Sequence, residues 1–88
     1  MDYQVTVTVD GSPFTDLEAD TALDTLTAFH AVLCTEHVRP AALISVTAGS
    51  IPEATAVAIT VVEHATSRTA LSVEAVDLEE WERRELLS

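Results

Sequence analysis

The sequence predicts an α+β fold in which a long helix packs on one face of a four-stranded mixed sheet. The predicted element order is β-α-β-β-β-α, ending in a short C-terminal helix. Two changes of hydrophobic period support this: apolar residues alternate over 3–9, recur at helical spacing over 16–37, and alternate again from 42. The length of 88 residues and the 48% hydrophobic composition fit one small acidic domain, residues 1–88.

The first strand is predicted over residues 3–9, where tyrosine and valines alternate with glutamine and threonines. The helix that follows is expected to begin after Thr15, because Thr15 and Glu18 have the spacing of a capping box. Its apolar residues lie within one arc over 16–37. The helix is expected to end before Pro40, since the residue preceding a proline avoids the helical region.

Three further strands are predicted over 42–48, 57–62 and 71–75 from the alternation of their side chains. The strand over 57–62 is apolar on both faces, which is typical of a central strand. The C-terminal helix begins near Asp77, with further acids in its first turn, where the helix dipole favours them. The predicted core consists of Val5, Val7, Leu23, Leu26, Leu33, Ile44, Val46, Val57, Ile59, Val61, Leu71 and Val73.

The charge of the chain excludes several functions. Fifteen Asp and Glu stand against four Arg and no Lys, for a formal net charge of −11. A P-loop and a Schiff-base mechanism both need lysine. Nucleic-acid binding needs a basic face, so no direct binding of nucleic acid is expected. No pair of carboxylates and no nucleophile lies in a recognisable catalytic pattern, and we therefore expect that the protein is not an enzyme.

The cysteine content and the apolar stretches predict a compartment. The single cysteine, Cys34, cannot form an internal disulfide, which favours a reducing environment. The first ten residues lack the basic segment and apolar run of a secretory signal. The apolar stretches are strand-length and far short of the roughly 20 residues of a membrane span. We therefore expect a cytoplasmic protein with no membrane contact.

The acids at the start of the first helix form the leading candidate site. Asp16, Glu18, Asp20 and Asp24 crowd this segment, and a negative surface attracts a basic protein partner. The leading hypothesis is thus a small acidic protein–protein interaction, inhibitory or regulatory module that uses no cofactor. Small acidic inhibitors from phages and mobile elements act in this way, so a phage accessory protein is one form of it. The structural alternative is that the acids serve only helix N-termini and solubility.

A second hypothesis is a transition-metal site. His30, Cys34 and His37 are spaced i, i+4 and i+7, which places them on one face of the predicted helix. Imidazole and thiolate are ligands that zinc prefers. The structural alternative is that Cys34 is a small buried hydrophobic residue and that the histidines lie at the boundary between helix and sheet.

A third hypothesis is a structural subunit of a larger assembly. Apolar residues fall outside the predicted core face, namely Leu17, Val32, Ala58, Val62 and, at the tail, Leu87. One layer of helix cannot cover both faces of a sheet whose central strand is apolar on both sides. The sequence therefore predicts self-association, with a homodimer as the simplest form.

Overall fold

The computed structural model describes residues 2–34 and 39–86. The described elements are β1 (Asp2–Val9), α1 (Asp16–Thr25), β2 (Val32–Cys34), β3 (Ala41–Thr47), α2 (Ile51–Thr66), β4 (Ala70–Asp77) and α3 (Leu78–Leu86). A 3-10 turn at Thr27–Phe29 connects α1 to β2. The predicted α+β class, a sheet of four strands and the short C-terminal helix are confirmed, although one of the four strands is not the predicted one. None of the described helices is long and apolar enough to cross a membrane.

The four strands form one sheet in the order β2-β3-β1-β4. Its described pairings are antiparallel, so the prediction of a mixed sheet is wrong. Since β1 and β2 both run antiparallel to β3, they are parallel to each other, with β3 between them. The part from β1 to β4 has the order β-α-β-β-α-β, which together with this strand order is the split β-α-β, or ferredoxin-like, arrangement.

The core lies between the sheet and α2. Ala54, Ala58 and Val62 recur at i, i+4 on α2, and all three are fully buried. The two alanines let the helix approach the sheet closely, because they add little side-chain volume. The buried core cluster consists of Tyr3, Val5, Val7, Val9, Phe14, Leu26, Ala42, Ile44, Val46, Ala48, Ala54, Ala58 and Val62.

The first helix is shorter than predicted. α1 ends at Thr25, so the prediction of a helix over 16–37 is wrong over 26–34, and its last part, 35–37, lies outside the described residues. The hydroxyls of Thr25 and Thr27 donate to backbone carbonyls four residues earlier, at 3.1 and 3.0 Å, and such back-bonding weakens a helix. His30 then takes a left-handed conformation with φ 51°. The chain leaves the helical direction there and forms β2.

The segment predicted as the third strand, 57–62, is part of the helix α2. The Ser50 hydroxyl caps this helix by accepting from the Glu53 N–H at 3.3 Å. The Glu53 carboxylate accepts in turn from the Gly49 N–H at 3.0 Å, and Pro52 lies in the first turn, where its missing N–H costs nothing. The long helix on the sheet is therefore α2. The predicted order β-α-β-β-β-α is wrong, and the observed order is β-α-β-β-α-β-α.

The predicted core is partly correct. Five of its members are buried: Val5, Val7, Leu26, Ile44 and Val46. Three are wrong, since Leu23, Val57 and Leu71 are exposed by 37%, 38% and 49%. Leu23 and Val57 lie on the outer sides of their helices, and Leu71 lies where the register of β4 against β1 shifts. The others are half-buried: Leu33, Ile59, Val61 and Val73.

The last helix covers part of the opposite face of the sheet. Glu74 is paired in register with Thr6, whose neighbours Val5 and Val7 point into the core. Glu74 thus lies on the face away from α2, and its carboxylate accepts from Arg84 of α3 at 3.0 Å. Because α3 folds back over this face, one layer of helix does not have to cover both sides of the sheet.

Candidate functional site

The outer surface of α1 carries three carboxylates in a row. Asp16, Asp20 and Asp24 are exposed and follow one another at i, i+4. Helical geometry places them within an arc of roughly 80°. Within residues 2–34 and 39–86, no hydrogen bond or ion pair involves these three carboxylates. We call Asp16, Asp20 and Asp24 the acidic stripe.

Glu18, the fourth residue of the predicted site, lies on another side of α1. Its carboxylate accepts from Arg68 at 2.8 Å and from the Thr15 N–H at 3.2 Å, and the Thr15 hydroxyl accepts from the Glu18 N–H. The predicted capping box is confirmed. The Arg68 guanidinium, followed by the Thr15 N–H, lowers the pKa of Glu18. The structure therefore brings together three of the four predicted residues and gives Glu18 a structural role.

The other described acids have structural partners in nearly every case. Four carboxylates accept from backbone N–H groups between 2.7 and 3.2 Å, namely Asp10, Glu53, Glu63 and Asp77. On β4 and α3, acids pair with Arg83 and Arg84, namely Glu74, Glu79 and Glu80. Asp2 accepts from the Thr47 hydroxyl at 2.7 Å. Of the carboxylates that the structure describes, the acidic stripe and Glu82 alone lack such a partner.

An exposed leucine lies beside the acidic stripe. The Leu17 side chain is 77% exposed, and its helical position lies between the stripe and the side of α1 that faces α2. Leu17 and Thr21 line a hollow of about 250 Å³ together with Ala65 and neighbouring residues at the end of α2. The stripe thus borders a hollow of mixed polarity in the seam between the two helices, to which Glu18 and Thr66 also contribute.

A second and larger hollow lies between α2 and Phe29 of the 3-10 turn that follows α1. It has a volume of about 520 Å³, its surface is almost entirely apolar, and it is lined by Phe29, Ala56, Val57, Thr60, Val61 and His64. The Thr60 hydroxyl already donates to the Ala56 carbonyl at 3.0 Å. Our sequence reasoning missed this groove because it assigned 57–62 to a strand. The signal was the i, i+4, i+7 spacing of Val57, Val61 and His64, which share a face only in a helix.

The predicted metal ligands are not on one helix. His30 ends the 3-10 turn, Cys34 lies in β2 opposite Ala41, and His37 falls outside the described residues. Over the described ranges, no group of three or more His, Cys, Asp and Glu residues is arranged to hold a metal ion. Zinc binding stays a prediction, without the helical geometry that motivated it.

The apolar residues behind the prediction of self-association divide into two groups. Ala58 and Val62 are fully buried within the chain, because they belong to α2 and pack on the sheet. Leu17 and Val32 remain exposed by 77% and 57%, and Leu87 falls outside the described residues. Ala58 and Val62 therefore no longer support a homodimer, and the exposed residues that still do lie on α1 and on the edge strand β2.

Neither the fold nor similarity assigns a function to this chain. The split β-α-β arrangement carries many unrelated activities in other proteins, so a function has to be argued from a site. No protein-family model, curated protein or solved structure matches the chain, and the functional argument therefore depends on the acidic stripe and on the apolar seam beside it.

Proposed function

We propose that this chain is a small acidic interaction module, of the inhibitory or regulatory kind, that docks on a basic surface of a protein partner. One observation carries the proposal: Asp16, Asp20 and Asp24 share an exposed surface without structural partners, whereas nearly all other described carboxylates have one. Acids that hold the fold together are thus separate from acids that are available for binding.

The spacing of the acidic stripe suits electrostatic attraction. Successive members are four residues apart, a rise of roughly 6 Å along the helix. This distance is shorter than the screening length of about 8 Å at physiological ionic strength, so the three charges act together on an approaching partner. A chain with a net charge of −11 also attracts cationic surfaces from a distance, and the stripe then determines where they dock.

Leu17 supplies the apolar part of the proposed surface. Protein interfaces commonly place an apolar centre within a polar rim that excludes water. Leu17, at 77% exposure, lies next to Asp20 and Asp24 on the surface of α1. An exposed leucine next to exposed carboxylates favours a surface that contacts a folded protein. Charges that serve only solubility would not need the leucine.

The position of Asp24 is better explained by a role in binding than by a role in stabilising the helix. Asp24 lies in the last turn of α1, which contains no basic residue, and the helix dipole disfavours a negative charge there. Acids at i, i+4 also repel one another. The favourable placement of acids at helix N-termini explains Asp16 but not Asp24.

The proposal is tested with a partner captured from the native host. The double variant Asp20→Lys, Asp24→Lys is expected to slow association and to flatten its salt dependence, because charges that steer the encounter are reversed. Glu79→Lys, Glu82→Lys on α3 is the matched control with the same change in net charge. Equal effects of the two double variants would show that only total charge matters, and that result would contradict docking through the stripe.

Self-association is a second component of the proposal. Val32 is 57% exposed on β2, a three-residue strand at the edge of the sheet, and such edges can pair with another chain. Two copies at −11 each repel, so dimerisation is expected to strengthen with added salt, whereas binding to a basic partner weakens. Sedimentation at tens of micromolar, in low and high salt, checks this. A monomer under both conditions would exclude the dimer and the architectural role with it.

A further inference from the structure

We infer that the partner segment recognised by this module is a basic amphipathic helix lying in the seam that α2 forms with α1 and with the 3-10 turn after α1. Its apolar side chains would occupy the two hollows of the seam, and its cationic flank would lie over the acidic stripe. This inference rests on the proposed function. It adds the secondary structure and the apolar face of the partner, which the carboxylates alone do not define.

The seam has the dimensions of a helix-binding groove. Leu17 near the start of α1 lies beside the end of α2, and Phe29 lies beside the middle of α2, so the two helices run antiparallel. The hollows are centred near residues 60 and 66 of α2, a separation of roughly 9 Å at the helical rise. Side chains at i and i+7 of a docked helix are about 10 Å apart and would reach both.

The two banks of the seam differ in charge, and this asymmetry identifies the occupant. The acidic stripe lies on the exposed surface of α1 beside Leu17, whereas α2 presents Ala56, Val57, Thr60 and His64. A helix with apolar residues on one face and Lys or Arg along one flank matches both banks.

A second copy of this chain matches the seam poorly. Its net charge of −11 opposes the acidic stripe. The arginines of its amphipathic helix α3, Arg83 and Arg84, already pair with Glu74, Glu79 and Glu80. The occupant inferred here is therefore a basic segment of another protein.

Two synthetic peptides of identical composition provide the probe. One is a helix of about 18 residues with leucines at i, i+3 and i+7 and arginines on one flank, and the other is its scrambled form. Fluorescence anisotropy is expected to show that the patterned peptide binds about tenfold more tightly, a difference of about 1.4 kcal/mol. Val57→Gln is expected to remove this preference. Ile51→Gln, at an exposed aliphatic position of the same helix outside the groove, is expected to keep it.

Variants of the acidic stripe separate this inference from the proposed function. The double variant Asp20→Asn, Asp24→Asn is expected to weaken the binding of both peptides and to make it less dependent on salt. If both peptides bind equally well, or if Val57→Gln keeps the preference, the groove inference is overturned. The proposed function still stands in that case if the stripe variant weakens binding. If the stripe variant weakens the binding of neither peptide, the groove inference and the proposed function are both overturned. Circular dichroism and thermal unfolding verify that each variant is folded.

Discussion

Arg68 and Glu18 form an ion pair of 2.8 Å that joins the first turn of α1 to the segment preceding β4. The same guanidinium donates to the carbonyls of Asp10 and Ser12 and lies 4.6 Å from the ring centroid of Phe14. The Arg68 side chain is only 12% exposed. One partly buried cation thus holds the loop between β1 and α1, and this loop sets the position of the acidic stripe.

Replacing Arg68 is expected to destabilise the protein substantially. Arg68→Ala should lower the free energy of unfolding by about 2–3 kcal/mol, because several hydrogen bonds to a charged group and a cation–π contact are lost. Arg68→Lys keeps the charge but loses the planar guanidinium with its several N–H donors. Its free energy of unfolding should therefore lie between those of the wild type and the alanine variant. Urea denaturation measures both. A loss below about 0.5 kcal/mol for the alanine variant would show that these contacts do not hold the loop.

The Glu18 carboxylate is expected to contribute to the pH dependence of stability. Its pKa is lowered in the folded state, first by Arg68 and then by the Thr15 N–H. The folded protein therefore binds this proton less readily than the unfolded chain does. The resulting stability is complete above the ordinary pKa of 4.5 and is lost as the pH falls through the lower, folded value.

The measurement compares the wild type with Glu18→Gln. Denaturant unfolding from about pH 6 to about pH 3 should show a smaller loss of stability in the variant, because it no longer carries this titration. Asp20→Asn is a suitable control, since the Asp20 carboxylate has no described partner. Parallel pH profiles for the wild type and Glu18→Gln would rule out the contribution of Glu18.

Strands with one polar face could be predicted from sequence. In β1, Gln4 and Thr6 alternate with buried valines, and the observed strand begins within one residue of its predicted start. The capping box at Thr15 and Glu18 correctly marked the start of α1. Both signals depend on residues that are close together in the sequence, so the packing of distant segments does not change them.

The segment over 57–62 could not be assigned from alternation, because five of its six residues are apolar. Periodicity does not separate a buried helix from a central strand in such a run. Ser50 and Pro52, followed by 14 helical residues without another proline or a glycine, were the better signal. The groove at Val57 escaped prediction for the same reason, since it depends on how two misassigned segments pack.

A pair of valine variants is expected to distinguish the two faces of α2. Val62→Ala should cost about 2 kcal/mol, because Val62 is fully buried against the sheet and its loss leaves a cavity. Val57→Ala should change stability by less than about 0.5 kcal/mol, since Val57 is 38% exposed and alanine favours the helix. Thermal and urea unfolding measure both. Similar costs at the two positions would argue for a strand-like environment in place of the helix.

Asp16 and Asp24 lie at opposite ends of α1, and lysine at these positions should change stability in opposite directions. Asp24→Lys is expected to raise the free energy of unfolding by about 0.5 kcal/mol, because a cation in the last turn complements the helix dipole and a repulsion with Asp20 is removed. Asp16→Lys is expected to lower it by a smaller amount, because the unfavourable charge in the first turn is partly offset by the lost repulsion with Asp20.

Binding to the basic partner should nevertheless weaken in both lysine variants, because both remove a charge of the acidic stripe. Chemical denaturation at low salt gives the stabilities, and association kinetics give the binding. If Asp24→Lys folds more stably but binds more weakly, the Asp24 carboxylate serves recognition and lowers the stability of the helix. If Asp24→Lys instead lowers stability and leaves binding intact, the carboxylate serves the fold, and the stripe ends at Asp20.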